Sequence, residues 1–186
     1  PQLEQQALLA ASQVSASSLK TALKHGYIKS QKVSVYRDPL AHLEVEQSQS
    51  RTLTEAQEAV YEQVAQALEA HQDQTFLLEG VTGSGKTEIY LQFMAKASQM
   101  GRGAILLVPE IALTPQMVRQ VKSRFQTGVA VLHSGLTNSQ KYDEWRRIIR
   151  GQATIVVGAR SSIFAPIRDL GLVIIDEEHE TTYKQS

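Results

Sequence analysis

The 186-residue chain contains no cysteine. That excludes a disulfide scaffold and a thiolate zinc site within these residues, and it fits a reducing compartment. No apolar run approaches the ~20 residues that a membrane span needs, and no secretory hydrophobic stretch opens the chain. Neither sign of charge is in excess, since nineteen Lys and Arg balance nineteen Asp and Glu. No global field therefore steers the molecule to nucleic acid, and any such contact must come from local patches. What is there is ordinary: 42% hydrophobic and 20% charged residues, the make-up of a folded domain and not of a disordered tail. At this length one good core and a small extra module can be buried.

Two zones differ in rhythm. The first, to about residue 36, holds two short helical patterns, EQQALLAAS and SASSLKTALKHG. The second of these has serines suited to an N-cap and Gly26 suited to the position just past a helix end. YIKSQKVSVY then reads as two short strands about a polar turn. RDPLAHLEVEQSQSR breaks the pattern as a linker, with Pro39 interrupting any continuous helix. Lys20 and Lys24 stand one helical turn apart, and Lys29, Lys32 and Arg37 follow without an intervening acid. Such a run is either a solvated face or a nucleic-acid contact.

From about Leu53, short apolar runs alternate with amphipathic helices. TEAQEAVYEQVAQALEAH puts Ala56, Val60, Val64, Ala67 and Leu68 on one helical face. TFLLEG, AILLVP, VAVLHS, TIVVG and LVIIDE read as five strands. The helices between them are expected to bury three sets of residues: Ile89, Tyr90, Phe93, Met94 and Ala97; Val118, Val121 and Phe125; and Tyr142, Trp145, Ile148 and Ile149. The pattern implies an α/β fold, a parallel sheet with helices on both faces, whose ligands bind beyond the carboxyl ends of the strands.

GVTGSGKT, Gly80 to Thr87, satisfies the phosphate-loop pattern G-x-x-x-x-G-K-[ST] between an expected strand and a helix. Chance alone gives about one match per hundred chains of this size. Gly80, Gly83 and Gly85, with the backbone of Thr82 and Ser84, suit a loop that wraps phosphates in N–H groups at a helix N-terminus. Lys86 would reach the outer phosphates and the Thr87 hydroxyl would bind magnesium, which implies ATP and Mg2+ as cofactors. Such a site needs an acid delivered to the metal by a second strand. VIIDE has that form, bringing Asp176 to the metal, partly through water, and Glu177 to orient and deprotonate an attacking water. Lys86, Asp176 and Glu177 are the candidate catalytic residues.

The tetrad DEEH, Asp176 to His179, resembles motif II of the superfamily 2 helicases. VTGSGKTEIYLQ, LLVPEIALTPQ, VLHSGL, GARSSIFAP and VIIDEEHETTYKQ follow in the order and wording of the replication-restart DEAH-type helicases, over about residues 51–186. The resemblance implies the first of two RecA-like lobes over 53–186, a linker over 38–52 and part of a winged-helix module over 1–37. It implies an ATP-driven 3′-to-5′ DNA helicase that assembles primosomes at stalled or repaired forks, cytoplasmic and nucleoid-associated. Its partners would be DNA forks, single-stranded DNA, single-stranded-DNA-binding protein and primosome proteins, with no membrane.

Residue roles follow from the same resemblance. LTEAQ is similar to the adenine-reading Q motif, which gives Gln57 a contact to the base. Thr54-x-x-Gln57 also satisfies a capping box, and the two readings are compatible. PEIALTP resembles motif Ia, with Pro109, Glu110 and Thr114 near the path of single-stranded DNA, and HSG resembles motif Ib, with His133 and Ser134. GARSS resembles the next DNA-side motif, in which Arg160 and Ser161 meet phosphates. His179 would couple the ATP site to these loops. Tyr183 and Lys184 would contact DNA by stacking and charge, while Lys20 and Lys24 would lie on a recognition helix.

The zinc-binding cysteines, second lobe and arginine fingers that the family places later have no counterpart here, so the chain reads as a piece of a longer protein. An arginine finger contributes ~10³–10⁵ in rate. The chain by itself is therefore expected to bind nucleotide, turn it over slowly and not unwind DNA. Two other classes stand beside this reading. Another P-loop enzyme, a kinase or a translocase subunit, should show a lid of arginines or lack the long motif agreement. A nonenzymatic winged-helix module should bind DNA with indifference to ATP and to Glu177→Gln.

Overall fold

The computed structural model describes residues 8, 9, 12, 14–30, 46–81 and 83–176. The chain divides into two compact units, Pro1–Tyr36 and Arg37–Ser186. In the first, Leu8, Leu9 and Ser12 are helical, and helix α1 spans Ala16–Lys24. Ser15 starts α1 by accepting the Ser18 N–H on its hydroxyl. At the other end Gly26 takes φ 74° and donates to the Leu23 carbonyl, while the Tyr27 N–H reaches Ala22. This is a Schellman closure, and its left-handed residue is glycine because a Cβ there would be strained. Lys20 and Lys24 are exposed on α1. Residues 27–30 form no strand, and the rest of the expected hairpin, 31–36, lies outside the described residues.

In the second unit, α2 (Glu55–Glu69) opens with the capping box anticipated from Thr54 and Gln57, each side chain bonded to the other's backbone N–H. Val64, Ala67 and Leu68 are buried as the pattern requires, Val60 is half-buried, and Ala56 is exposed. Helix α3 (Lys86–Gln99) buries Ile89, Tyr90, Phe93, Met94 and Ala97 as expected, and adds Leu91. Tyr61 and Phe93 stack at 6.0 Å where α2 meets α3.

Four strands follow: β1 (Gly103–Leu107), β2 (Val129–Leu132), β3 (Ile155–Gly158) and β4 (Leu170–Ile175). Helix α4 (Pro115–Phe125) connects β1 to β2, and α5 (Asn138–Ile149) connects β2 to β3. All pair in parallel in the order β2-β3-β1-β4. Successive side chains of each strand face opposite sides, and the two cores divide accordingly. Ala104, Leu106, Val131 and Val157 pack with α2, α3 and α4 on one face. Ile105, Leu107, Leu132 and Val156 pack with Leu136, Ile148 and Ala165 on the other. Each large aliphatic side chain so buried contributes about 1.5–3 kcal/mol.

Two expectations are corrected. TFLLEG forms no strand: residues 72–80 have no sheet partner, Leu77 is 79% exposed, and Leu78 alone in the run is half-buried, against the α2–α3 core. An apolar run becomes a strand only by pairing, and neither edge strand, β2 or β4, takes it. Nor is α5 turned as its apolar residues suggest. Ile148 is buried, but Tyr142, Trp145 and Ile149 are exposed, while Asp143 and Glu144 point inward. The cause is Arg147. Its guanidinium takes the Glu144 carboxylate at 3.2 Å and the carbonyls of Val129 and Thr127, tying the helix to the entry of β2 by its charged side.

Candidate functional site

Because all four strands run the same way, their carboxyl ends open on one side of the sheet, and the motif residues collect there. The phosphate loop is held by its glycines. Gly83 and Gly85 have φ 81° and 83°, and Gly85 caps α3 from the left-handed region. A Cβ on Gly80 would meet Ser84 Oγ at 2.8 Å, and one on Gly85 would meet Gln57 Nε2 at 2.7 Å. Ser84 N–H closes the turn on the Val81 carbonyl, and Lys86 Nζ donates to the Gly80 carbonyl. Gln57 holds the loop from outside. While its Oε1 accepts the Thr54 N–H at 2.9 Å, its Nε2 donates to the Ser84 carbonyl at 3.0 Å.

Across from the loop, Asp176 follows β4 directly, its N–H bonded to the Leu107 carbonyl at 2.9 Å. Its carboxylate accepts the hydroxyl of the buried Tyr90 at 3.1 Å. Lys86, Thr87 and Asp176 line one cavity of about 440 Å³, together with Gly83, Gly85, Arg51 and Arg124. Tyr90 stood in the sequence only as a core residue. The available signal is its spacing, three residues after Thr87 on the same helical face, with a hydroxyl that needs a partner when buried.

A second group missed in the sequence lines this cavity. Glu88, next to Thr87, receives Arg124 Nη2 on both carboxylate oxygens at 3.1 Å, the Arg51 N–H at 3.1 Å and Gln92 Nε2 at 2.9 Å. Arg124 also reaches Ser50 Oγ and the Gln49 carbonyl. Burial by itself would raise the Glu88 pKa. The hydrogen bonds from Gln92, Arg51 and Arg124 outweigh it and hold the carboxyl below its ordinary value. This network ties the first turn of α3 to α4 and to the extended segment 48–51. Glu88 and Arg124 lie 36 residues apart, so no local pattern announces them.

The remaining loops stand on the other strands. Pro109 and Glu110 follow β1, His133 and Ser134 follow β2, and Arg160 and Ser161 follow β3. Since β1 lies between β3 and β4, the order across the sheet end is His133, Arg160, Glu110, Asp176. Glu110 Oε1 accepts the Ser134 N–H at 3.0 Å, bridging the loops after β1 and β2. Bonds from the Ser134 side chain and backbone, with the charges of His133 and Lys141, hold the Glu110 carboxyl below its ordinary value. Thr114 is engaged as the N-cap of α4, accepting the Met117 N–H at 3.2 Å, with Pro115 at the first helical position. None of these seven residues lines the cavity. Thr82, Glu177, His179, Tyr183 and Lys184 lie outside the described residues. Among the described residues no helix is long and apolar enough to cross a membrane.

Comparison with known proteins places these features in a family. The family model described as DEAD/DEAH box helicase matches residues 54–186. The replication restart protein PriA of Bacillus subtilis is 51% identical over 171 residues, covering 92% of this chain and 21% of that protein. PriA of Synechocystis is 42% identical over 182 residues, 96% of this chain and 21% of the relative. PriA of Treponema pallidum is 52% identical over 112 residues, 60% of this chain and 17% of the relative. The chain thus spans about a fifth of the length of the curated relatives it matches.

Proposed function

The chain belongs to the DEAD/DEAH box helicases, with replication restart proteins PriA among its relatives, and from that premise we propose that it is the nucleotide-binding lobe of an ATP-driven replication-restart helicase. The observation that carries this reading is the convergence of Lys86, Thr87 and Asp176 on one cavity, reached from two segments 89 residues apart in sequence (176 − 87).

The residues present fit a magnesium nucleotide. The glycine cradle leaves no room for a Cβ at Gly80 or Gly85 without displacing its neighbours. The donors around the cavity are the ammonium, hydroxyl and carboxylate that a phosphate and a hard cation call for. Lys86 would exchange the Gly80 carbonyl for phosphate oxygens, and Thr87 and Asp176 would hold the metal, Asp176 steadied by Tyr90. Bound magnesium neutralises charge across the outer phosphates. Gln57 lies against the loop at Ser84 and would read the adenine from there. Glu177 takes the proton of the attacking water, and His179 couples this site to the DNA-side loops.

DNA is the polymer acted upon, with Pro109, Glu110, Thr114, His133, Ser134, Arg160 and Ser161 along its path. Glu110 and Thr114 serve there by holding loop shape, through Ser134 and through α4. Lys20 and Lys24 of α1 would add contacts from the amino-terminal unit. Unwinding in the 3′-to-5′ direction, at forks with single-stranded-DNA-binding protein and primosome proteins, is proposed for a protein of the relatives' full length.

The test is magnesium-dependent binding of a fluorescent ADP analogue to the chain, beside Lys86→Ala. Saturable binding that is lost in the variant is expected. Equal binding by both proteins would remove the phosphate-loop assignment. ATP turnover by this chain at ordinary helicase rates would refute the view that hydrolysis needs residues from a second lobe.

A further inference from the structure

The cavity of about 440 Å³ has two kinds of wall. Lys86, Thr87 and Asp176 bring charge for phosphate and metal. Segment 48–51 and the carboxyl-terminal half of α4 bring a different set, Gln49, Arg51, Gln120 and Arg124. Arg124 organises this second wall. Its side chain is 8% exposed. Nη1 donates to Ser50 Oγ, and Nη2 donates to the Gln49 carbonyl and to both Glu88 oxygens. Nε is buried and has no hydrogen-bond partner among the described residues. A buried donor so placed bears the whole cost of its lost hydration, and in a native fold it calls for a reason. Its residue stands on the wall of a cavity in the size range of small-molecule sites, about 300–1,000 Å³, and that supplies one.

We propose that this wall is the nucleoside subsite, with Arg124 Nε and the Gln120 amide hydrogen-bonded to the sugar–base part of the nucleotide while Lys86 holds its phosphates. Glu88 already neutralises the Arg124 charge, since both carboxylate oxygens face Nη2 at 3.1 Å. What Arg124 has to spare is an N–H and not a charge. That suits an uncharged acceptor, such as a sugar hydroxyl, a ring nitrogen or a base carbonyl. Gln120, exposed on α4, adds an amide that both donates and accepts. Arg51, also exposed, adds a planar guanidinium able to stack on a base. Arg124 is thereby a specificity residue that favours a nucleoside diphosphate over bare pyrophosphate. The proposal rests on the nucleotide reading of this cavity. It gives the nucleoside donors inside the cavity, where Gln57 is not among the lining residues.

The test is calorimetric titration of the 186-residue chain with magnesium ADP and, separately, with magnesium pyrophosphate. Arg124→Lys keeps a cation opposite Glu88 and removes the Nε–H, while Gln120→Ala changes a solvent-facing side chain. ADP affinity should fall about tenfold in the first and about threefold in the second, with pyrophosphate affinity unchanged in both. A clamp that merely held the phosphate-loop helix would weaken both ligands together. Melts without ligand report the fold, and that of Gln120→Ala should not move, so its ADP loss decides the matter even where Arg124→Lys is less stable. Equal losses for the two ligands, ADP affinity unchanged in both variants, or pyrophosphate binding the wild type as tightly as ADP would overturn the subsite. Failure of the wild type to bind either ligand would instead refute the nucleotide reading itself, and the subsite with it.

Discussion

Glu88 offers the sharpest test of how the phosphate-loop helix is held. In Glu88→Ala, Arg124, its side chain 8% exposed, keeps Ser50 and Gln49 but loses its counter-charge, and the Arg51 N–H and Gln92 lose an acceptor. Removing one partner of a buried ion pair costs about 3–5 kcal/mol. Glu88 retains 17% side-chain exposure, and water entering there offsets part of this, so the expected loss is about 3 kcal/mol. For a protein of this size that is a fall in Tm of about 6–12 °C. Removing both charges in Glu88→Ala with Arg124→Met should recover at least about 1 kcal/mol relative to additivity.

The pH dependence has a definite sign. The folded pKa of Glu88 is lowered from 4.5. Its ionised form therefore stabilises the fold fully above pH 4.5, and that contribution is lost as pH falls through the lower folded value. The stability gap between the wild type and Glu88→Gln should be largest near neutrality and close below pH 4.5. Calorimetry across pH 3–8, with ADP-analogue binding at pH 7, measures both effects. A loss under about 0.5 kcal/mol, or additive single variants, would show that the network does not hold α3.

Other outcomes follow from individual contacts. Gly85→Ala places a Cβ 2.7 Å from Gln57 Nε2 at φ 83°, whereas Gly83→Ala carries similar left-handed strain at φ 81° with nothing within 4 Å. Urea unfolding should find the first about 1 kcal/mol more costly, the worth of the Gln57–Ser84 hydrogen bond. Tyr90→Phe removes the 3.1 Å bond to Asp176. It should cost about 1 kcal/mol in stability and shift the magnesium dependence of nucleotide binding; an unchanged magnesium titration would count against a positioning role. Glu144→Gln leaves the Arg147 guanidinium facing a neutral partner at a side chain 1% exposed. About 3 kcal/mol should be lost in denaturant melts, with ADP-analogue affinity unchanged.

Some of these features were open to a reading of residues in order. The phosphate loop is a local device: its glycines, Lys86 and Thr87 are contiguous, and a strand end carrying Asp176 is marked by the step from LVII to acids. Helices α2 to α4 and strands β1 to β4 follow from apolar period and caps, because backbone hydrogen bonding and side-chain direction repeat over a few residues. The capping box at Thr54 is of the same kind.

Tertiary structure decided what depends on partners distant in sequence. TFLLEG has the composition of a strand, but pairing makes a strand, and the sheet as it stands gives the run no neighbour. Helix α5 has an apolar stripe, but the bonds from Arg147 to Glu144 and to the carbonyls of Thr127 and Val129, at the entry of β2, turn the acids inward and the aromatic rings to solvent. The order β2-β3-β1-β4 sets Glu110 between Arg160 and Asp176, and only folding brings Glu88 to Arg124 and Tyr90 to Asp176. Short-range chemistry wrote the motifs into consecutive residues. Their arrangement around one cavity came from strand pairing and buried charge, whose energies belong to pairs of residues and not to either residue alone.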